Sequence, residues 1–166
     1  MRVDGAGRLK AAAVPQPPPL LSITLPGDPV AVRAALERAM AALEPLALTP
    51  ECRNVAELVL AEVLNNVVEH AYSAAPGPIE LEIRLADGRV GPALACSVCD
   101  RGRPMPDGTP PLGRQALVDV PLDDLPEGGF GWFLIRSLTR DLDYVRSAGG
   151  NRLAFLIPLE RHDEAN

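Results

Sequence analysis

The spacing of apolar residues along the chain predicts two helices near its start. PVAVRAALERAMAAL repeats apolar positions at helical spacing after Asp28, and ELVLAEVLNNVVEHAYS does so in a second helix that follows Thr49. Asp and Thr are favoured caps, and the second helix also has Pro50 at its first position and Glu51 in its first turn. The first helix is expected to end near Pro45.

Alternating and continuous apolar runs predict the strands. LLSITLP reads as a short strand, IELEIRLAD alternates like a half-buried strand, and PALACSVCD is more continuously apolar. A long segment from RGRPMPDGTPPLG to DDLPEGG is rich in Pro, Gly and Asp, which is typical of a functional lid. FGWFLIRSLTRDL has helical spacing. The strands DYVRSA and NRLAFLIPL follow it and form a hairpin that turns at Gly149 and Gly150.

These elements predict an α/β fold in one domain. Two helices, paired strands, a lid, a third helix and a closing hairpin favour a two-layer α/β sandwich, in which helices cover one face of a mixed, largely antiparallel sheet. The 166 residues suit a single domain with a sizeable core. We expect a disordered Pro-rich lead over residues 1–19, a domain over 20–160 and a polar tail over 161–166.

Charge and hydropathy exclude two classes of partner. The formal net charge of −6 argues against a nucleic-acid phosphate backbone as the main partner. The chain has no run of about twenty apolar residues, and its start lacks the apolar core of a secretory signal. We therefore expect a cytoplasmic protein that contacts neither nucleic acid nor membrane directly.

The second helix carries a narrow polar stripe at the edge of its apolar face, formed by Glu62, Asn66, Glu69 and His70. Such a stripe lies where a core helix borders a cleft. An acid followed four positions later by Asn can place a general base and a metal-binding amide oxygen side by side. A solvated polar edge explains this helix equally well when it is considered alone.

Two further segments are candidates for ligand binding. Asp100 ends an apolar strand shortly before Gly102, and such a carboxylate can accept a hydrogen bond from an exocyclic amine such as that of adenine. A turn-forming Asp with its glycine is the alternative. Gly128, Gly129 and Gly131 lead directly into a helix, whose exposed N–H groups and dipole attract phosphates. A flexible loop end is the alternative for these glycines.

The order of four segments makes the pattern more specific. AEVLNNVVEHAY, VCDRGRPMP, PEGGFGWFLI and GGNRLAFLIP together resemble the nucleotide-binding boxes of the GHKL, or Bergerat-fold, ATPases. The resemblance is closest to the small anti-sigma-factor serine kinases of that superfamily, and it covers about residues 20–160. It implies a Bergerat ATP-binding fold that uses ATP and Mg²⁺.

The resemblance implies roles for three polar residues. Glu62 matches the catalytic glutamate, Asn66 matches the asparagine whose oxygen binds Mg²⁺, and Asp100 matches the aspartate that recognises the adenine amine. Asn151 departs from the pattern, because several relatives have Thr there. This departure leaves any phosphate contact from that turn open.

The resemblance also implies roles for the glycines and a histidine. Gly102 matches the glycine beside the base, while Gly129 and Gly131, with the neighbouring Gly128, match the glycines that let the lid wrap the phosphates. His70 lies where these kinases often carry a histidine. It is either a phosphate contact or an ordinary residue of the helix edge.

The implied function is an ATP-dependent serine/threonine protein kinase that acts as an anti-sigma regulatory factor. It would phosphorylate an anti-sigma-factor antagonist of the STAS type, bind a sigma factor and form a homodimer. Two alternatives remain open: a non-catalytic switch in which ATP orders a partner-binding surface, and the detached ATPase domain of a histidine kinase. The histidine-kinase alternative is weaker, because it requires a dimerising pair of helices that bears a phosphoacceptor histidine. His162 lies in the tail and His70 lies inside the nucleotide helix, so neither is placed for that role.

Overall fold

The computed structural model describes residues 18–89, 91–113 and 129–159. Most of the predicted lead, most of the predicted lid with Gly128, and the predicted tail lie outside the described residues. The helices and strands, in chain order, are β1 Leu21–Pro26, α1 Pro29–Leu43, α2 Pro50–Asn66, β2 Pro78–Gly88, β3 Gly91–Asp100, α3 Phe130–Leu138, β4 Arg140–Ser147 and β5 Gly150–Pro158.

The strands form one five-stranded sheet in the order β1-β2-β3-β5-β4. Every neighbouring pair of described strands is antiparallel, so the sheet is not mixed. Ile23, Leu81, Val98 and Leu153 lie opposite one another across four strands, and all four are buried. They join the buried residues of α1, α2 and α3 in one core. The predicted two-layer α/β fold is confirmed.

Local hydrogen bonds start the first two helices where the sequence predicts them. The Asp28 carboxylate accepts a hydrogen bond of 2.9 Å from the Ala31 N–H, and the Thr49 hydroxyl accepts one of 3.2 Å from the Cys52 N–H. Each cap satisfies one of the N–H groups that a helix start leaves without a partner. Both predicted caps are confirmed.

The end of α2 differs from the regular helix that the sequence predicts. After Asn66 the chain continues as a π-helical turn, Val67–Ala71. Such turns widen the helix and often occur at functional sites. The predicted stripe is therefore divided, because Glu62 and Asn66 are partly buried on the α-helix, whereas the Glu69 and His70 side chains on the π turn are 68% and 71% exposed.

The third helix is shorter than predicted. It ends at Leu138, and after Thr139 the chain begins β4 at Arg140 instead of continuing the helix. Thr139 is buried and extended, and its hydroxyl donates a hydrogen bond of 2.6 Å to the Ile135 carbonyl. This bond satisfies a carbonyl of the last helical turn. Arg140 pairs with β5, the register shifts before Asp143, and the pairing that continues from Asp143 outweighs the helical spacing.

The closing hairpin turns one residue earlier than predicted. Ala148 and Gly149 occupy the tip with φ angles of 48° and 77°. Two positive φ angles at the centre of a two-residue loop match the twist of the flanking strands. Gly150 already pairs with Ser147 in the sheet.

The cap at Asp28 provides a test of the fold. Replacing Asp28 with Ala leaves the Ala31 N–H without its partner, and we expect the free energy of unfolding to fall by about 1 kcal/mol. Urea denaturation measures the change. Glu37→Ala, in an exposed pair 3.6 Å from Arg33, is the control and should change stability by less than about 0.5 kcal/mol. Equal effects of the two substitutions would contradict the capping role.

Candidate functional site

A cavity of about 510 Å³ lies between the end of α2, the covered side of β3 and β5, and the loop that follows β3. Its volume is within the usual range for small-molecule sites. Three predicted site residues line it, namely Asn66, His70 and Asp100. Much of the remaining lining is apolar and comes from Val63, Val67, Val98, Met105, Trp132 and Leu153.

Asp100 is the last residue of β3 and is only 8% exposed. Its Oδ1 accepts hydrogen bonds from the Gly102 N–H at 2.8 Å and from the Asn151 amide nitrogen at 2.7 Å. These bonds offset part of the cost of burying a carboxylate. None of the described residues donates a hydrogen bond to Oδ2, so this oxygen can accept one from a ligand.

Gly102 holds the loop after β3 against the π turn that follows α2. A Cβ atom at Gly102 would overlap the Ala71 carbonyl oxygen and lie 2.7 Å from the Ala71 Cβ. The next residue, Arg103, donates a backbone hydrogen bond of 3.0 Å to the same carbonyl. Only glycine allows this approach, which keeps the Gly102 N–H on the Asp100 carboxylate.

Glu62 and Asn66 face the first turn of α3. A Cβ atom at Gly131 would overlap Glu62 Oε2 and lie 3.9 Å from the Asn66 amide nitrogen. The described residues that line the cavity do not include Glu62, which lies one helical turn from Asn66 beside Gly131. The structure therefore brings Glu62, Asn66 and Gly131 together at the α3 end of the site.

The side-chain amide of Asn66 is incompletely satisfied. Its nitrogen is buried and has no hydrogen-bond partner among the described residues. A buried donor left unpaired costs about 1–3 kcal/mol, which a bound group with an acceptor would recover. Rotating the amide by half a turn presents its oxygen instead, since the two ends of an amide have nearly the same shape.

The donor set fits Mg²⁺ only together with a phosphate ligand. Mg²⁺ prefers octahedral oxygen coordination and commonly takes one or two protein ligands along with substrate phosphates and waters. The described residues contain no group of three or more His, Cys, Asp or Glu side chains that could hold a metal ion. The Asn66 amide oxygen could serve as one ligand, with phosphate oxygens supplying others.

The start of α3 has the features of an anion site. Gly129 caps the helix with a φ angle of 97°, which glycine adopts without strain, and no side chain caps the helix start. The nearby loop is held on the same helix, because the Arg136 side chain donates hydrogen bonds to the carbonyls of Pro110 and Pro111. The predicted role of Gly128 falls outside the described residues.

His70 lies at the mouth of the cavity. It is on the π turn, and its Nε2 lies 4.0 Å from Glu69 Oε2. Because both side chains are largely exposed, the pair contributes little to stability. Contact between His70 and a phosphate stays a prediction.

Asn151 has a larger part in the site than its place beside a hairpin turn suggests. It is buried and lies directly opposite Asp100 in the sheet. Tyr144 and Trp132, also missed, line the same cavity. One signal was available in the sequence, since Asn151 continues the buried alternation of Leu153 and Phe155, and a buried polar side chain requires partners.

A match to one solved structure with a TM-score above 0.5 supports the fold. The RsbU and RsbW domains of Rv1364c from Mycobacterium tuberculosis match with a TM-score of 0.58 and 22% identity, over 87% of this chain and 33% of that one. Two structures of the Erythrobacter litoralis EL346 blue-light activated histidine kinase match with TM-scores of 0.43 and 0.41 and identities of 24% and 23%. They cover 68% and 77% of this chain, and 32% and 61% of those chains.

This chain thus spans about a third of the length of the first two matched structures. The Mycobacterium match, at its level of identity, shows the fold alone. No curated protein gives a significant match. In the part of the chain that the structure describes, no helix has both the length and the apolar character needed to cross a membrane.

The comparison with protein families is more specific. The sequence model described as histidine kinase-like ATPase domain matches residues 25–157. That range includes Glu62 and Asn66 on α2, Asp100 on β3 and Asn151 on β5. This chain belongs to the family of histidine kinase-like ATPase domains.

Proposed function

We propose that this protein is an ATP-dependent serine/threonine kinase that phosphorylates a STAS-type anti-sigma-factor antagonist and binds a sigma factor. Membership of the family implies ATP binding. One observation carries the kinase proposal, namely that Glu62 and Asn66 lie together beside Gly131 and that Asn66 lines the same cavity as Asp100. The serine or threonine acceptor and the protein partners rest on the resemblance of the four sequence segments.

Asp100 recognises the base in this proposal. Its Oδ2 accepts a hydrogen bond from the 6-amino group of adenine, while Val98, Met105 and Leu153 of the cavity lining cover the apolar ring. An ionised carboxylate only accepts hydrogen bonds. It therefore favours adenine over guanine, which carries a carbonyl at the same position.

The phosphates extend toward the start of α3. Backbone N–H groups at Gly129 and Gly131 donate to them, and the positive end of the helix dipole adds an attraction. The Asn66 amide oxygen would hold Mg²⁺, which would supply positive charge beside the phosphates.

Glu62 acts on the attacking hydroxyl. Its carboxylate accepts the proton of the substrate serine or threonine as the hydroxyl oxygen forms a bond to the γ-phosphorus. The bond from that phosphorus to the β–γ bridging oxygen breaks, and ADP leaves with the electron pair. Contact with Gly131 limits the positions that the Glu62 carboxylate can occupy.

Glu62→Gln tests the catalytic base. This change keeps the shape of the side chain but removes its basicity, so transfer of labelled phosphate from ATP to a STAS-domain protein should fall by about a hundredfold or more. ATP affinity should stay within about threefold, because the base lies outside the adenine end. Trp132, the single tryptophan, lines the cavity and reports binding by its fluorescence.

Glu57→Gln, at an exposed position of the same helix, is the matched control and should retain full transfer. Full transfer by the Glu62 variant would exclude Glu62 as the base. ATP binding by the unaltered protein without transfer to any STAS-domain protein would favour the non-catalytic switch.

Asp100→Asn tests the adenine contact. The substitution keeps the size of the side chain but replaces a charged acceptor with an amide, so we expect ATP affinity to fall by about tenfold or more. Titration of Trp132 fluorescence measures the change. Asp143→Asn, at an exposed position of β4, should leave the affinity unaltered. Unchanged affinity in the Asp100 variant would contradict the assigned orientation of the nucleotide.

Gly131→Ala tests the contact between α3 and the base. The added Cβ overlaps Glu62 Oε2, so we expect phosphate transfer to fall by about tenfold or more while ATP affinity changes less. The double variant with Glu62→Gln should be no slower than Glu62→Gln alone, because the effect acts through that carboxylate. Additive losses would show that Gly131 acts elsewhere.

A further inference from the structure

Asn151 makes more side-chain hydrogen bonds than any other described residue of the cavity. It is 6% exposed. Its amide nitrogen donates to Asp100 Oδ1 at 2.7 Å and to the Arg103 carbonyl at 2.9 Å, with a longer contact of 3.5 Å to the Gly102 carbonyl. Its oxygen accepts from the Tyr144 hydroxyl at 2.6 Å and from the Arg146 guanidinium at 2.9 Å.

These partners allow only one orientation of the amide. A carboxylate and a carbonyl only accept, so the nitrogen must face Asp100 and Arg103, whereas a guanidinium only donates, so the oxygen must face Arg146. The backbone N–H of Met105 donates to the Tyr144 hydroxyl at 3.0 Å, which leaves the hydroxyl proton for Asn151.

The network uses the full hydrogen-bonding capacity of the Asn151 side chain. An amide offers two N–H groups and two lone pairs, and protein groups occupy all of them. A contact from this side chain to a phosphate or a base would require breaking one of these bonds. Asn151 therefore affects a ligand through its neighbours.

We propose that Asn151 is a positioning residue that gives the site its selectivity for a purine with a 6-amino group, an inference that rests on the proposed ATP site. Asn151 and the Gly102 N–H both bind Oδ1 of Asp100. Two donors on one oxygen set the plane of the carboxylate, whose terminal torsion is otherwise broad. Oδ2 is then directed to the exocyclic amine.

Tyr144 and Arg146 belong to the same hydrogen-bond network. Both are on β4 and hold the oxygen of Asn151, while the nitrogen reaches Asp100 on β3. The Arg146 guanidinium also donates to the Gly102 carbonyl at 2.7 Å, which fixes the loop that supplies the second donor. The closing hairpin thus determines how Asp100 presents its oxygens.

The test compares ATP with purine riboside triphosphate, which has the same ring system and phosphates but no 6-amino group. By Trp132 fluorescence, the unaltered protein should bind ATP at least about tenfold more tightly than the analogue. Asn151→Ala should weaken ATP binding by about tenfold but change analogue binding by less than about threefold, so that the preference disappears. A loss of structure alone would weaken both ligands.

Tyr144→Phe is a second variant that changes the network less. If thermal melting shows that Asn151→Ala is unfolded, Tyr144→Phe alone tests whether the network sets the preference for ATP. It removes one hydroxyl and should reduce the preference by about threefold or more. Tyr72→Phe is the matched control. The Tyr72 hydroxyl accepts from the Arg101 N–H at 2.8 Å and donates to the Pro78 carbonyl at 2.7 Å, so its loss should leave the ratio of affinities unchanged.

The outcomes separate the two proposals. If the unaltered protein binds ATP no better than the analogue, or binds neither, the adenine assignment fails and the role of Asn151 fails with it. If the unaltered protein prefers ATP and the folded variants of Asn151 and Tyr144 keep that full preference, the role of Asn151 is wrong while the proposed ATP site stands.

Discussion

A carboxylate buried at the end of a strand requires hydrogen bonds, and the fold around the cavity depends on how Asp100 obtains them. An ionised group removed from water costs several kcal/mol unless other groups replace the lost solvation. Here the donors come from Gly102 in the next loop and from Asn151 on a neighbouring strand. Gly102 reaches its place only because it has no side chain to overlap Ala71. One carboxylate thus joins the ends of α2, β3 and β5.

Two polar groups of the site lack a hydrogen-bond partner among the described residues, which points to a ligand. Within the part of the chain that the structure describes, the buried nitrogen of Asn66 has no acceptor, and both hydrogen bonds to the Asp100 carboxylate go to Oδ1, which leaves Oδ2 for a ligand. Replacing such groups by apolar ones often leaves stability unchanged or improves it, so stability alone is a poor reason for them. A nucleotide carries both complements, since its amine donates at one end and its phosphates accept, or bind a shared cation, at the other.

Local sequence signals predicted the helices and strands, but pairing between strands that are far apart in the sequence determines the geometry of the site. The caps at Asp28 and Thr49 depend on a few neighbouring residues, so the sequence located both helix starts. The helical spacing that extends through TRDL was misleading, because the strand that begins at Arg140 pairs with β5, and the spacing carries no information about residues of that other strand. The contact between Asp100 and Asn151 joins residues that are 51 positions apart. No local pattern in either segment indicates that contact. The alternation of Asn151 with Leu153 and Phe155 indicates only that Asn151 is buried and therefore needs a hydrogen-bond partner.

The sequence resemblance leads us to expect threonine at position 151, and asparagine changes what this position can do. A threonine hydroxyl has one proton to donate, so it could not bind a carboxylate and a backbone carbonyl as donors at the same time. Asparagine can, but its oxygen then needs donors of its own in a buried site. Tyr144 and Arg146 supply them from β4. The asparagine and its two donors therefore form one unit, and that unit contacts Asp100, the residue that binds the base in the proposed nucleotide site.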